Sequence, residues 1–142
     1  MKRGQPDLLL AFDFGLRRIG VATANRRTGT ATPLTTLETK REPPWEQIDT
    51  LIEQWQPGQL VVGLPDPKTA ETIAAAATAF AATLEGRYGL PVASTDESLT
   101  SRAAQSELIM ARRNRLMPKR IRKGTLDSHA ACLIAEQWLR EQ

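Results

Sequence analysis

The sequence predicts an α/β fold in which helices flank a central five-stranded mixed sheet. Two apolar runs and a threonine-rich run, separated by turn-forming residues, open the chain, and this pattern is typical of an antiparallel meander. Strand-like and helix-like segments alternate in the second half, which requires parallel strands joined by right-handed crossovers. A chain of 142 residues can bury a sizeable core and fits a single domain over residues 1–142.

The first three strands are expected at residues 7–14, 19–24 and 30–37. The first run is almost continuously apolar, as expected of a strand that is covered on both faces. Gly15 ends this run, and a polar segment at residues 25–29 turns the chain from the second strand into the third.

The second half begins with a predicted helix. Residues 45–55 carry apolar side chains at helical spacing, and residues 57–58 are expected to end this amphipathic helix. A short apolar run at residues 60–64 reads as a buried strand. Asp66 is expected to cap the next helix, with Pro67 at its first helical position.

The remaining elements complete the predicted order. The second helix is rich in alanine and is expected to end at Gly86 and Gly89. Its apolar stripe is Ile73, Ala77, Phe80, Leu84 and Tyr88. A fifth strand at residues 91–95 precedes a helix over residues 98–113 and a last helix capped by Thr125. The apolar stripe of the last helix is Leu126, Ala130, Leu133, Ile134 and Trp138. The order β-β-β-α-β-α-β-α-α is the ribonuclease-H-like arrangement.

Three acidic residues lie where this topology would gather them. Asp13 ends the first strand, Glu97 follows the fifth, and Asp127 lies in the first turn of the last helix. If the two strands are neighbours and the helix packs over them, the three carboxylates converge at one edge of the sheet. Two divalent ions about 4 Å apart can activate water and stabilise a leaving oxygen in phosphodiester hydrolysis. Because carboxylates suit Mg²⁺ or Mn²⁺, the sequence predicts a site for two such ions.

Each acid also has a structural interpretation. Asp13 stands near a glycine and could belong to a turn, while Glu97 and Asp127 could cap helices. The three acids together favour a metal site in this topology, and the helix dipole would favour an anion at Asp127. Asp96 is expected to face the opposite side of its strand and to be structural.

Residues 112–123 hold seven cations, no acid, and a proline that prevents a continuous helix. The segment is either a solvated loop or a phosphate-binding surface, and its position directly before Asp127 favours phosphate binding. Two arginines in the turn after Asp13 could also touch phosphate, although a turn tolerates arginine without any function. The residues expected to bind nucleic acid are Arg17, Arg18, Arg112, Arg113, Arg115, Lys119, Arg120, Arg122 and Lys123.

Four segments in register resemble the YqgF (RuvX-like) family, and the similarity spans essentially the whole chain. They are residues 11–15 with 18–22, then 61–65, 96–101 and 123–131. The family is described as an endonuclease that matures the 5′ end of pre-16S ribosomal RNA, and also as a Holliday-junction resolvase. The resemblance implies a metal-dependent endonuclease whose catalytic and metal-binding acids are Asp13, Glu97 and Asp127.

The chain departs from the family pattern at two places. Ser98 stands where the family usually has arginine, and residues 66–71 replace a loop that is usually rich in asparagine and glycine. The three acids survive both changes. The departures therefore put in doubt the contribution of these two loops to substrate binding, but not metal binding.

Three functions are consistent with the sequence. The leading hypothesis is cleavage of structured RNA, such as ribosomal RNA precursors or ribosomal particles. The rival is the same chemistry on branched DNA, for which symmetric cutting of two strands calls for a homodimer. A non-catalytic nucleic-acid-binding protein is the alternative of a different class, and Ser98 is its best support. A phosphotransferase of the actin-like class is not favoured, because it would need a second domain to enclose its nucleotide and a chain of 142 residues has no room for one.

Composition adds few constraints. Lys and Arg total 19 against 16 for Asp and Glu, and the net charge of +3 alone indicates a nucleic-acid partner only weakly. A single cysteine, Cys132, excludes an intrachain disulfide and is expected to pack in the core. No stretch is long and apolar enough to span a bilayer, and the first residues lack the layout of a signal peptide. A cytoplasmic protein without a membrane partner is expected.

The histidine and the tryptophans are expected to be structural. His129 lies one turn from the metal side of the last helix, where a surface position is favoured over a role as proton shuttle. Trp45, Trp55 and Trp138 fit core or interface stripes better than base stacking.

Overall fold

A five-stranded mixed sheet organises the computed structural model, which describes residues 5–64, 71–96 and 123–142. The strands follow the spatial order β3-β2-β1-β4-β5. The pairs β1–β2 and β2–β3 are antiparallel, while β1–β4 and β4–β5 are parallel. Their bounds are Gln5–Asp13 (β1), Arg18–Asn25 (β2), Thr30–Glu38 (β3), Pro57–Leu64 (β4) and Val92–Asp96 (β5). The predicted mixed sheet is confirmed.

Three helices are described. They are α1 (Trp45–Trp55), α2 (Glu71–Tyr88) and α3 (Lys123–Arg140). The bounds of α1 are those predicted from its apolar spacing. The predicted helix over residues 98–113 lies outside the described residues, as do Asp66 and Pro67 at the expected start of α2.

Pro57 and Gly86 do not mark helix ends as predicted, although α1 itself ends at Trp55 as expected. Gln56, in the left-handed region at φ 47°, ends α1 and donates its backbone N–H to the carbonyl of Ile52 at 2.8 Å. Pro57 then begins β4 rather than marking a break, so this strand starts three residues before the expected position. Gly86 lies inside α2, and only Gly89, at φ 65°, follows the end of that helix. A left-handed glycine just past a helix is a common terminator.

The first face of the sheet is covered by α1 and α2 and holds large side chains. Phe80 of α2 lies at its centre, with ring centroids 5.7 Å from Phe12, 5.0 Å from Phe14 and 5.5 Å from Trp45. The buried members of this core are Leu10, Phe12, Phe14, Ile19, Val21, Leu37, Ile48, Leu60, Val62, Ala77, Phe80 and Leu84. Trp45 and Trp55 pack against it, which confirms their predicted structural role.

The second face of the sheet is covered by α3 and is lined by smaller side chains. The sheet contributes Ala11, Ala22 and Ala24 together with Leu9 and Val61. The buried residues of α3 that pack here are Ala131, Cys132, Ile134, Ala135 and Trp138, so Cys132 and Trp138 are core residues as predicted. Small side chains on the sheet let the helix backbone approach closely.

An ion pair joins α1 to α2 at the protein surface. Arg87 donates from Nε to Asp49 Oδ1 at 2.9 Å and from Nη2 to Oδ2 at 2.8 Å. The Tyr88 hydroxyl donates to Asp49 Oδ1 at 2.6 Å. The hydrogen bonds from Arg87 and then Tyr88 lower the pKa of Asp49 to about 2. Burial first, and then Asp49, raises the pKa of Tyr88.

Candidate metal centre

The alternation of β1 places Asp13 on the face that α3 covers. Leu9 and Ala11 pack against α3, whereas Leu10 and Phe12 belong to the core under α1 and α2. Successive side chains of a strand point to opposite faces, so Asp13 continues the series of Leu9 and Ala11. Asp13 is also the last residue of β1, and its side chain therefore lies at the carboxyl edge of the sheet on the α3 side.

A glycine in β2 brings α3 to the same place. Gly20 is the partner of Asp13 in the antiparallel register of β1 and β2. A Cβ atom on Gly20 would overlap the carbonyl oxygen of Asp127 and would lie 2.9 Å from the backbone nitrogen of Ser128. The backbone of α3 therefore touches the sheet directly beside Asp13. Two of the three predicted acids, Asp13 and Asp127, are brought to one end of the sheet by this contact.

Asp127 is held by an arginine of β2. Arg18 Nε donates to Asp127 Oδ2 at 2.8 Å, and the two side chains are 34% and 25% exposed. Arg18 lies two residues before Gly20 and therefore on the same face of β2. The sequence led us to expect Arg18 at a phosphate, and the structure shows it paired with a candidate metal ligand.

On the other side of Asp13, the cross-strand row continues through β4 and β5. Gly63 is the partner of Asp13, and Thr95 is the partner of Gly63. Thr95 lies two residues after Ala93 in β5, and Ala93 packs on the α3 side, so both side chains lie on that face. Thr95 is only 6% exposed, and its Oγ1 has no hydrogen-bond partner within the described residues. Gly63 places no side chain between Asp13 and this buried hydroxyl.

The strand arrangement corrects one expectation about the acids. The first and fifth strands were expected to be neighbours, but β4 lies between them. Two strand spacings, about 10 Å, therefore separate β1 from β5. Glu97, which follows the last residue of β5, lies outside the described residues. Within residues 5–64, 71–96 and 123–142, no three His, Cys, Asp or Glu side chains form a group that could hold a metal ion.

The start of α3 corrects a second expectation. The helix begins at Lys123, so Thr125 is its third residue and not its N-cap. The first turn holds no acid, and Asp127 lies in the second turn, where the helix dipole acts more weakly. The contact with Gly20 and the ion pair with Arg18 position Asp127 instead. The basic residues at 112–122 lie outside the described residues.

Sequence reasoning missed two residues of this site. Gly20 is a glycine inside a strand, and that signal can indicate a close approach of another backbone. Thr95 carries no comparable signal, because threonine is common in strands. Arg17 is exposed in the turn before β2, and His129 is half-buried on α3.

The strand order and the helices define a ribonuclease-H-like fold. The chain aligns with the structure titled "T. thermophilus RuvC in complex with Holliday junction substrate" at a TM-score of 0.58, covering 94% of this chain and 95% of that one. Sequence identity is 16%, so this likeness concerns the fold.

The family model described as "RuvX: Holliday junction resolvase" matches residues 7–141, and the chain belongs to that family. A relative from Vibrio vulnificus (strain YJ016) is 41% identical over 138 residues, covering 94% of this chain and 96% of its own. A relative from Legionella pneumophila (strain Philadelphia 1) is 43% identical over 145 residues, covering 99% of both chains. Both carry the name "Putative pre-16S rRNA nuclease". The resemblance stated from the sequence is confirmed.

None of the described helices combines the length and apolar character that crossing a bilayer requires.

Proposed function

We propose that this protein is a metal-dependent endonuclease that hydrolyses phosphodiester bonds and matures the 5′ end of pre-16S ribosomal RNA in the cytoplasm. The observation that carries the proposal is the packing of α3 on Gly20, which brings Asp127 beside the strand position of Asp13. The names of the relatives from Vibrio and Legionella support the reaction and the substrate.

The donor atoms at this edge fit Mg²⁺ or Mn²⁺. Asp13 and Asp127 offer carboxylate oxygens, and the Thr95 hydroxyl, which has no partner among the described residues, is a further oxygen on the same face. Hard oxygen donors are what these ions prefer. We assign Asp13, Asp127 and Glu97 as the ligands of two ions. Glu97 is the residue that directly follows β5 in the sequence. The bound ions would activate water, polarise a phosphoryl oxygen and stabilise the leaving oxygen.

The protein's own residues hold the substrate backbone in this proposal. Arg17 is exposed in the turn that follows Asp13 along the chain, and residues 112–123 carry seven cations shortly before Asp127. Contacts to phosphate give affinity and register but carry no base sequence directly. Recognition should therefore depend on the shape of the nucleic acid and on salt concentration.

Branched DNA is the second candidate substrate. Its support is the family description and the RuvC structure, whose title names a Holliday junction substrate. Symmetric cutting of a four-way junction would need two copies of the site, and so a homodimer. A non-catalytic nucleic-acid-binding protein is the third candidate, for which Ser98 is the supporting feature.

One experiment separates the three candidates. Purified protein is incubated with a pre-16S ribosomal RNA precursor or a four-way DNA junction, each with Mn²⁺, Mg²⁺ or a chelator. We expect metal-dependent cutting of the RNA, and a loss of at least about 100-fold in Asp13→Asn, because the amide keeps the shape and removes the ligand charge. Cutting of the junction alone would favour the resolvase.

Asp7→Asn is the matched control. Asp7 is an acid of the same strand, but it lies about 20 Å from Asp13 along β1. Its substitution should leave cutting unchanged. Undiminished cutting by Asp13→Asn would refute the site, and binding without cutting at any metal concentration would favour the non-catalytic candidate.

A further inference from the structure

The ion pair between Arg18 and Asp127 joins a cation to a residue that we assign as a metal ligand. Arg18 Nε donates to Oδ2 of Asp127 at 2.8 Å, a short charge-assisted hydrogen bond. A carboxylate oxygen engaged in this way has less electron density available for a divalent ion. A guanidinium at this distance would also repel the ion.

The backbones on both sides of this pair are fixed. Arg18 is a residue of β2, paired with Glu38 of β3, and Asp127 is held by the contact of α3 with Gly20. Neither backbone can retreat without loss of sheet pairing or helix packing. The Arg18 side chain is, however, one-third exposed, so it can leave the carboxylate by rotating toward solvent. The contact can therefore open without a change of fold.

We propose that Arg18 is a built-in counter-ion, which neutralises Asp127 while metal is absent and which a divalent ion must displace. This inference rests on the proposed metal centre and adds a competition to it. The guanidinium compensates a part-buried carboxylate in the metal-free protein, where an unpaired charge would be costly. Once displaced toward solvent, the guanidinium would be free to contact a phosphate of the substrate. In the free protein, Arg18 therefore holds the Asp127 carboxylate in place through this hydrogen bond.

The test is a calorimetric titration of the full chain with Mn²⁺, without nucleic acid, so that no catalytic activity is needed. Removal of a competing ion pair should tighten Mn²⁺ binding in Arg18→Gln by about 3- to 10-fold, as expected for a part-exposed charged hydrogen bond. Arg17→Gln is the matched control, because it removes the same charge one residue away at an exposed position. Its Mn²⁺ affinity should change by less than about 2-fold, since exposed charges are screened.

A second substitution guards against a folding defect. Arg18→Lys keeps the charge but loses the planar guanidinium, so its Mn²⁺ affinity should lie between those of the wild type and Arg18→Gln. Circular dichroism melting of each variant checks that the fold is retained. Arg18→Gln binding Mn²⁺ no more tightly than Arg17→Gln, or more weakly than the wild type, would overturn the counter-ion role.

Asp127→Asn distinguishes this failure from failure of the metal centre. If the wild type binds Mn²⁺ and Asp127→Asn does not, the centre stands and the Arg18 variants decide the competition. If Asp127→Asn binds Mn²⁺ as tightly as the wild type, or if the wild type does not bind it, the metal centre fails and the counter-ion role fails with it.

Discussion

The two faces of the sheet differ in what their side chains do. Under α1 and α2, large aromatic and aliphatic residues centred on Phe80 fill a thick core. Under α3, the sheet presents alanines and Gly20, and the helix backbone lies against it near the carboxyl end of β1. Burial of large apolar side chains stabilises the first face. The second face has smaller side chains on the sheet, so α3 packs closely and Asp127 lies near the end of β1, where Asp13 is located. In the proposed function, the large core and the metal centre therefore lie on opposite sides of one sheet.

The largest effect that would test this division is expected at Gly20. Gly20→Ala places a Cβ against the α3 backbone, so overpacking should lower the free energy of unfolding by about 1–3 kcal/mol. Because α3 must shift, Mn²⁺ binding should weaken by at least about 10-fold. Urea unfolding and calorimetry measure the two quantities.

Gly86→Ala is the control on the other side of the molecule. Gly86 lies inside α2, and a Cβ there would meet no atom within 4 Å. Alanine should therefore stabilise the protein by roughly 0.5–1 kcal/mol through helix propensity and leave Mn²⁺ affinity unchanged. If both glycine variants changed stability equally and neither changed metal binding, the special role of the α3 contact would be refuted.

A smaller effect is expected at the pair that joins α1 to α2. The pKa of Asp49 is lowered from 3.8 to about 2, so its ionised form contributes stability that is present above pH 3.8 and is lost as the pH falls through about 2. Asp49→Asn should therefore lower the urea midpoint slightly at pH 7, and this difference should shrink between pH 4 and pH 2. A difference independent of pH would show that the charge of Asp49 is not responsible.

The same contrast explains how much the sequence could predict. The bounds of α1 and the burial of Ala77, Phe80 and Leu84 in α2 followed from apolar spacing, because a helix packed on a sheet must repeat its apolar positions. These are local patterns. Most of the α1 and α2 face was predictable for that reason.

The α3 face was predictable only in part. Asp13 and Asp127 were identified as candidate ligands, but their approach depends on the β1–β2 register and on a helix that follows more than 100 residues later. The position of β4 between β1 and β5 depends on crossovers that no local pattern specifies. Thr125 resembles an N-cap locally, yet the helix starts at Lys123, so the local signal was overridden.

The central claim is that Asp13 and Asp127 belong to one metal centre and share at least one of its two proposed ions. A crystal structure of the protein soaked in Mn²⁺, with anomalous scattering used to locate the metal, tests this most directly. We predict an anomalous peak with carboxylate oxygens of both Asp13 and Asp127 at about 2.1 Å. A peak bound by one of these residues alone, or well-occupied Mn²⁺ sites only at other places, would contradict the account.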